Sequence, residues 1–236
     1  MSILSPIFFG LGYISGSLAF LAMCKQRNLN PQVARNLLFA GLFGGLFLGT
    51  GIEWAVTGEG GKTIIGAVVG GYLTIALYKR HIGLARPIGD MAAVAMCVGE
   101  AVGRWGCFFG GCCYGKCTEG FVRVWQHNNW RYPTQIYSSL AAIATLAIIL
   151  LLEKTRPPEN TIFYAQGFLF SLSRFVIEFY REGHPFYAGL TAAQWGCTLG
   201  MAYFLVRLVI NLRYWRHMNV DRPSNRIEQT HSEVLG

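Results

Sequence analysis

Charge is what this sequence has least of. Of its 236 residues only 14% are Asp, Glu, Lys or Arg, against 53% hydrophobic, where a soluble domain carries about a quarter charged. That shortage excludes an ordinary water-soluble globule. Acid is scarcer still: 12 Asp and Glu against 20 Lys and Arg leave a net charge of +8. No basic stripe on a soluble element accompanies this excess, so nucleic acid is excluded as the partner. Residues 1–6 hold no Lys or Arg. A cleaved signal peptide wants a basic start, so the first apolar run reads as a retained helix.

What remains is a mean hydropathy of +0.36, with the charges gathered in short clusters between apolar runs. The runs are cut to about 20 residues, the length that crosses a bilayer. They predict an all-α integral membrane protein with seven transmembrane helices, over about 7–23, 36–56, 63–78, 88–109, 134–152, 162–180 and 192–210. Residues 1–212 form one transmembrane domain. Residues 213–236 form a polar cytoplasmic tail with little to bury, expected to be mobile. Glycines crowd several spans, among them Gly41, Gly44, Gly45, Gly49 and Gly51, with a GxxxG at Gly66 and Gly70. Small residues let helices approach where lipid offers no hydrophobic drive to associate.

Lys and Arg set the orientation, because cytoplasmic loops carry the excess. Lys25, Arg27 and Arg35 mark the first loop, Lys79, Arg80 and Arg86 the third, and Arg213, Arg216, Arg222 and Arg226 the tail. The second loop carries Glu53 and Glu59, with Lys62 at its end. The expectation is an N-terminus outside, a C-terminus in the cytoplasm and a long outward loop over 110–133.

Several charges stand inside the apolar runs: Asp90, Glu100 and Arg104 in the fourth, Arg174 and Glu178 in the sixth, with Arg181 at its end. Each costs about 2.5–3.5 kcal/mol at mid-membrane, so they are expected to face the bundle interior. Glu100 and Arg104 share a helix face by their spacing, as do Arg174, Glu178 and Arg181. Two polar stripes on two apolar helices predict one shared pocket. The guanidinium fork suits phosphate oxygens, and the abundant phosphate within a bilayer is a lipid headgroup.

Four of the seven cysteines crowd the outer end of the fourth span: Cys107, Cys112, Cys113 and Cys117. An extracytoplasmic loop permits a disulfide, the leading expectation. Inert packing, or metal and redox chemistry, stays open, although Cys-x4-Cys-Cys-x3-Cys is not a standard ligand spacing. Cys24, Cys97 and Cys197 read as small apolar packing residues.

The run Gly103-Arg104-Trp105-Gly106-Cys107-Phe108 resembles the Gly-Arg-x-Gly-Asn-Phe-x-Asn-Gly-Glu signature of the prolipoprotein diacylglyceryl transferase family. Asp90 stands at the family's distance before the signature arginine. Arg131-Tyr132-Pro133-Thr134-Gln135-Ile136-Tyr137 is similar to its Arg-His-Pro-Ser-Gln-Leu-Tyr segment, and Arg174-Phe175-Val176-Ile177-Glu178-Phe179-Tyr180-Arg181 to its Arg-Phe-x-x-Glu-x-x-Arg segment. The resemblance covers about 62–194. It implies seven spans in a bacterial plasma (inner) membrane, phosphatidylglycerol and prolipoprotein signal peptides as partners among membrane lipids, and no cofactor or resident metal. The implied reaction moves a diacylglyceryl group from phosphatidylglycerol to the lipobox cysteine, releasing glycerol phosphate. Arg104 and Arg174 would hold the headgroup phosphate, and Glu178 would orient Arg174 or manage the proton. Glu100, Arg131, Gln135, Tyr137 and Arg181 would complete the substrate contacts. Other readings are a related transferase with another acceptor, or a non-catalytic lipid-binding or redox protein that works through the cysteine cluster. The sequence departs from the family pattern at Cys107, Gly110 and Cys112 in the signature, at Gly61 where a histidine base is proposed in family members, and at Phe170 in place of a tyrosine. His81, His127 and His184 are the imidazoles inside the matched stretch.

Overall fold

The computed structural model describes residues 2–48, 50, 51, 54, 55 and 64–220. Gly49, Glu53, Glu59, Gly61, Lys62, Thr63, Arg222 and Arg226 lie outside the described residues. The order is α1 (Leu4–Gln26), α2 (Pro31–Phe43) continuing into a π-helical stretch (Gly44–Leu48), α3 (Ile64–His81), α4 (Gly89–Gly110), β1 (Val124–Gln126), β2 (Asn129–Arg131), α5 (Thr134–Glu153), α6 (Thr161–Glu178) and α7 (Ala192–Val220).

Among the described residues, four helices are long and apolar enough to cross a membrane: Leu4–Gln26, Gly89–Gly110, Thr134–Glu153 and Ala192–Arg216. Their outward side chains are apolar; Leu18, Leu151 and Leu199, with Tyr72 on α3, are each more than half exposed. Such a surface is costly in water and suits lipid. The last helix runs to Val220, past the boundary expected after 212. Neither Gly196 nor Gly200 breaks it, and the next proline is Pro223.

Local chemistry sets the helix ends. Asn30 caps α2 by accepting from the Gln32 N–H at 2.8 Å, with Pro31 in the first turn. α4 ends on Gly111 in the left-handed region (φ +66°), and the Cys112 N–H returns to the Cys107 carbonyl at 3.1 Å. α7 begins with a reciprocal box: Thr191 N–H donates to Gln194 Oε1 at 2.9 Å, and Gln194 N–H to Thr191 Oγ1 at 3.2 Å.

α4 is the hub. It packs on α1, α5 and α6, while α7 lies against α6 and the α2–α3 pair adjoins α1. The α1–α4 seam is glycine on glycine: a Cβ at Gly12 would stand 3.0 Å from the Gly99 carbonyl oxygen and 3.1 Å from the Gly103 Cα. Side chains there would force the helices apart. Gly70 of the GxxxG pair serves the same end, since a Cβ there would overlap the Gly44 carbonyl.

The end of the bundle opposite the cysteine loop is locked by charge. Arg27 donates to Asp90 at 3.1 Å and to both oxygens of Glu153 at 2.8 and 2.7 Å. Asp90 is only 3% exposed, and it also accepts the N–H groups of Asn160 and Phe163, both at 2.9 Å, at the start of α6. It therefore caps a neighbouring helix and does not belong to the Arg104 stripe on its own. Replacing Asp90 with Ala strands Arg27 and uncaps α6. We expect a loss of about 3–5 kcal/mol in unfolding measured in detergent. Adding Glu153→Ala should cost less than the sum of the singles; full additivity would refute the shared lock.

Candidate functional site

The two polar stripes meet across the α4–α6 contact. On α4, Arg104 donates Nε at 3.0 Å and Nη2 at 2.7 Å to one oxygen of Glu100. On α6, one oxygen of Glu178 forms an ion pair with Arg174 at 2.8 Å and accepts from Arg181 at 3.3 Å, and its other oxygen accepts from Thr191 Oγ1 at 3.3 Å. Three guanidiniums thus face two carboxylates. Among the described residues, the buried Nη1 of Arg174 and Nε of Arg181 have no hydrogen-bond partner. A buried donor without an acceptor is costly, and a cationic surplus beside it suits an anion.

Arg104 and Arg174 border two adjoining spaces and do not line a single pocket, as the sequence reading expects. Arg104 and Glu100 stand at a cleft of about 460 Å³ between α1, α4 and α6. Arg174 lines a small polar void of about 10 Å³ behind it. Glu100, Gln166 and Phe170 line both and form the partition. Gln166 was not among the expected residues. A sequence signal for it exists, since residues 166, 170 and 174 fall on one helical face with a polar residue at each end. The cleft continues, through shared Gly12, Tyr13, Met96 and Gly99, into an apolar groove of about 300 Å³ against α2 and α3.

The remaining expected contacts lie on the outer side. Arg131 pairs with Glu182, donates to the Gly115 carbonyl at 3.1 Å and lies over the Tyr114 ring at 4.7 Å. Tyr137 packs on Tyr180 at 6.2 Å between ring centres. Gln135 is 1% exposed and donates to the Cys112 carbonyl at 2.8 Å, while Thr134 donates to that of Cys113 at 2.8 Å. These two side chains thus grip the cysteine loop. The loop is also stitched to the end of α6 by Lys116 N–H to the Tyr180 carbonyl at 2.8 Å. His127 donates from Nε2 to the Gly111 carbonyl at 2.6 Å, and among the described residues no histidine lines the cleft.

All seven cysteines are free thiols, so the structure does not form the bridge expected of the cluster. Instead the sulfurs of Cys107, Cys112 and Cys113 lie within 4.8 Å of one another. Cys117 stands apart, its backbone bridged to Arg131. The Cys113 thiol is pushed down to about 5. The hydrogen bond from the Cys107 thiol does most of this, the positive charges of Arg181 and Arg104 assist, and partial burial opposes.

Comparison with known proteins follows the same residues. The family model described as prolipoprotein diacylglyceryl transferase matches 6–210. The phosphatidylglycerol–prolipoprotein diacylglyceryl transferase of Clostridium tetani is 25% identical over 197 residues, 74% of this chain and 78% of that protein. A second protein of that name, from Clostridium perfringens, is 27% identical over 195 residues, covering 73% and 76%. That of Dehalococcoides mccartyi is 31% identical over 149 residues, covering 59% and 56%.

The lowered thiol carries a pH signature. The thiolate is the reactive form. In fully reduced protein stripped of metal by a chelator, alkylation of Cys113 followed by peptide mass mapping should hold nearly constant from pH 8 to 6 and slow about tenfold by pH 4. Arg181→Gln should move that curve to higher pH. A tenfold fall per unit already between pH 8 and 6, as for an ordinary thiol of pKa about 8.5, would contradict the arrangement.

Proposed function

The chain belongs to the prolipoprotein diacylglyceryl transferase family, and from that premise we propose that it moves the diacylglyceryl group of phosphatidylglycerol to the lipobox cysteine of prolipoproteins. One observation carries the reading beyond membership: the cleft is charged at one end and apolar along the rest. Arg104 and Glu100 stand at the charged end, and the groove beyond them is lined by residues such as Phe20, Leu37, Leu42 and Ile75. A phospholipid has the same division, with its phosphate at the guanidiniums and its acyl chains in the groove. Unmet Arg174 and Arg181 N–H groups add donor capacity close to the cleft, suited to phosphate oxygens.

The acceptor thiolate attacks the glyceryl carbon next to the phosphate. A sulfur–carbon bond forms and the carbon–oxygen bond breaks, its electron pair staying on glycerol phosphate. Charge grows on that departing oxygen. Arginines already aimed at it stabilise the transition state with little reorganisation. Glu178 holds Arg174 and Arg181 in place for this.

The orientation is part of the proposal: seven crossings in a bacterial inner membrane, with the N-terminus and the cysteine loop outside and the tail inside. Lys25 and Arg27, Lys79 and Arg80, Arg86, and Arg213 and Arg216 sit at the end of the bundle marked by the Arg27–Asp90–Glu153 lock, which supports a cytoplasmic face there. Exposed Cys117 should then react with an impermeant maleimide in intact spheroplasts. Labelling only after lysis would reverse the assignment.

Purified protein given phosphatidylglycerol and a lipobox peptide should add the mass of a diacylglyceryl group to the peptide. Arg104→Ala and Arg174→Ala should each cut the rate by roughly 100-fold or more. Lys at either position should restore little, since it keeps charge and loses the planar fork. Glu178→Gln should add little to Arg174→Ala. Full activity in both Ala variants would remove these residues from the site.

A further inference from the structure

The three gathered cysteines adjoin the cleft through one of their number. Cys107 lines it beside Arg104. Cys112 and Cys113 are brought back to Cys107 by two left-handed residues, Gly111 (φ +66°) and Cys113 (φ +59°). That conformation strains a non-glycine residue, and such strain persists only where the surroundings enforce it. Here Thr134 and Gln135, both about 1% exposed, hold the carbonyls of Cys113 and Cys112. The frame is therefore fixed, while the Cys112 side chain is open to solvent.

We propose that Cys107, Cys112 and Cys113 form a three-thiolate site for a thiophilic metal ion of the zinc class, with its fourth coordination position left for the thiol of the incoming acceptor. Zinc–sulfur bonds of about 2.3 Å place tetrahedral sulfurs roughly 3.8 Å apart, so trio spacings of up to 4.8 Å need a contraction of about 1 Å or less. Soft thiolates select zinc or copper(I) over hard cations. Three protein ligands with an open position is the pattern of catalytic zinc. Cys117 is held away on the strand side, and His127 commits its Nε2 proton to Gly111. Three thiolates on a divalent ion carry one net negative charge, and a fourth makes it two. Arg104 and Arg181 both act on this cluster and offset that charge.

The metal-binding half of the inference stands independently; the identity of the fourth ligand rests on the transferase reading. On coordination the acceptor thiol gives its proton to solvent at the outer face. Its sulfur forms the bond to the glyceryl carbon, the carbon–oxygen bond breaks towards glycerol phosphate, and the resulting thioether, a weak ligand, leaves. The metal keeps its charge throughout. This supplies the activation for which the cleft offers no histidine among the described residues.

Full-length protein purified under reducing conditions should carry about one zinc per chain by elemental mass spectrometry. Cobalt(II) exchange should give the visible bands of a tetrahedral thiolate site. Cys107→Ser, Cys112→Ser and Cys113→Ser should each lose the bands, and Cys117→Ser should keep them. A cysteine-containing lipobox peptide should shift the bands, and its Ser counterpart should not. No zinc or cobalt bound by reduced wild-type protein, a disulfide within the trio in protein from its native membrane, or loss of the metal in Cys117→Ser would each overturn the inference. Lipid transfer is measured in parallel. Metal-free protein that transfers at full rate overturns the metal's role in activating the acceptor thiol and leaves the transferase standing. Protein that binds metal and responds to peptide, yet transfers nothing, keeps the metal site and sinks the transferase.

Discussion

In an apolar bundle no charge can stand without a partner, because water is not there to solvate it. Both ends of this molecule are arranged around that constraint, and they resolve it in opposite ways. At one end Arg27 meets two carboxylates, and Asp90 spends its remaining capacity on backbone donors of α6. That end is closed. At the other, Glu178 is divided between two guanidiniums, and donors of Arg174 and Arg181 stay unmet. The shortfall of negative charge is what makes this end receptive to an anionic ligand. Arg174 stands behind the partition of Glu100, Gln166 and Phe170, and on the other side of that partition lies the cleft with its apolar continuation.

The sequence made the apolar runs legible because length and hydropathy are local properties, and the spans of α1, α4, α5 and α6 fall close to their expected positions. The i, i+4 pairs at Glu100–Arg104 and Arg174–Glu178 were legible for the same reason: helical spacing alone brings them together. The lock at Arg27 was not. Its partners are 63 and 126 residues away in the chain, and nothing local marks Arg27 as more than a loop cation. Asp90 consequently read only as a charge inside an apolar run, although it caps another helix.

The cysteine loop shows a different limit. Its spacing matches no standard ligand pattern, and a disulfide was the natural expectation. The convergence of three sulfurs depends on left-handed backbone at Gly111 and Cys113. It depends equally on Thr134 and Gln135 on the next helix, and of these the sequence marked only Gln135, as a substrate contact. The hairpin of β1 and β2 was missed likewise. Its turn, His127–Asn128, has both residues at positive φ, a role in which Asn-Gly is the familiar signal.

The glycine seam between α1 and α4 also bears on how the chain is made. The helices join with their backbones nearly touching at Gly12, Gly99 and Gly103, yet 62 residues separate the end of α1 at Gln26 from the start of α4 at Gly89. At roughly 5–20 residues per second, α1 is synthesised several seconds before its partner. Through that interval its glycine-lined face has only lipid, or the α2–α3 pair, to lie against. The seam is therefore one that cannot close until the fourth helix has been made, however early its first half is in place.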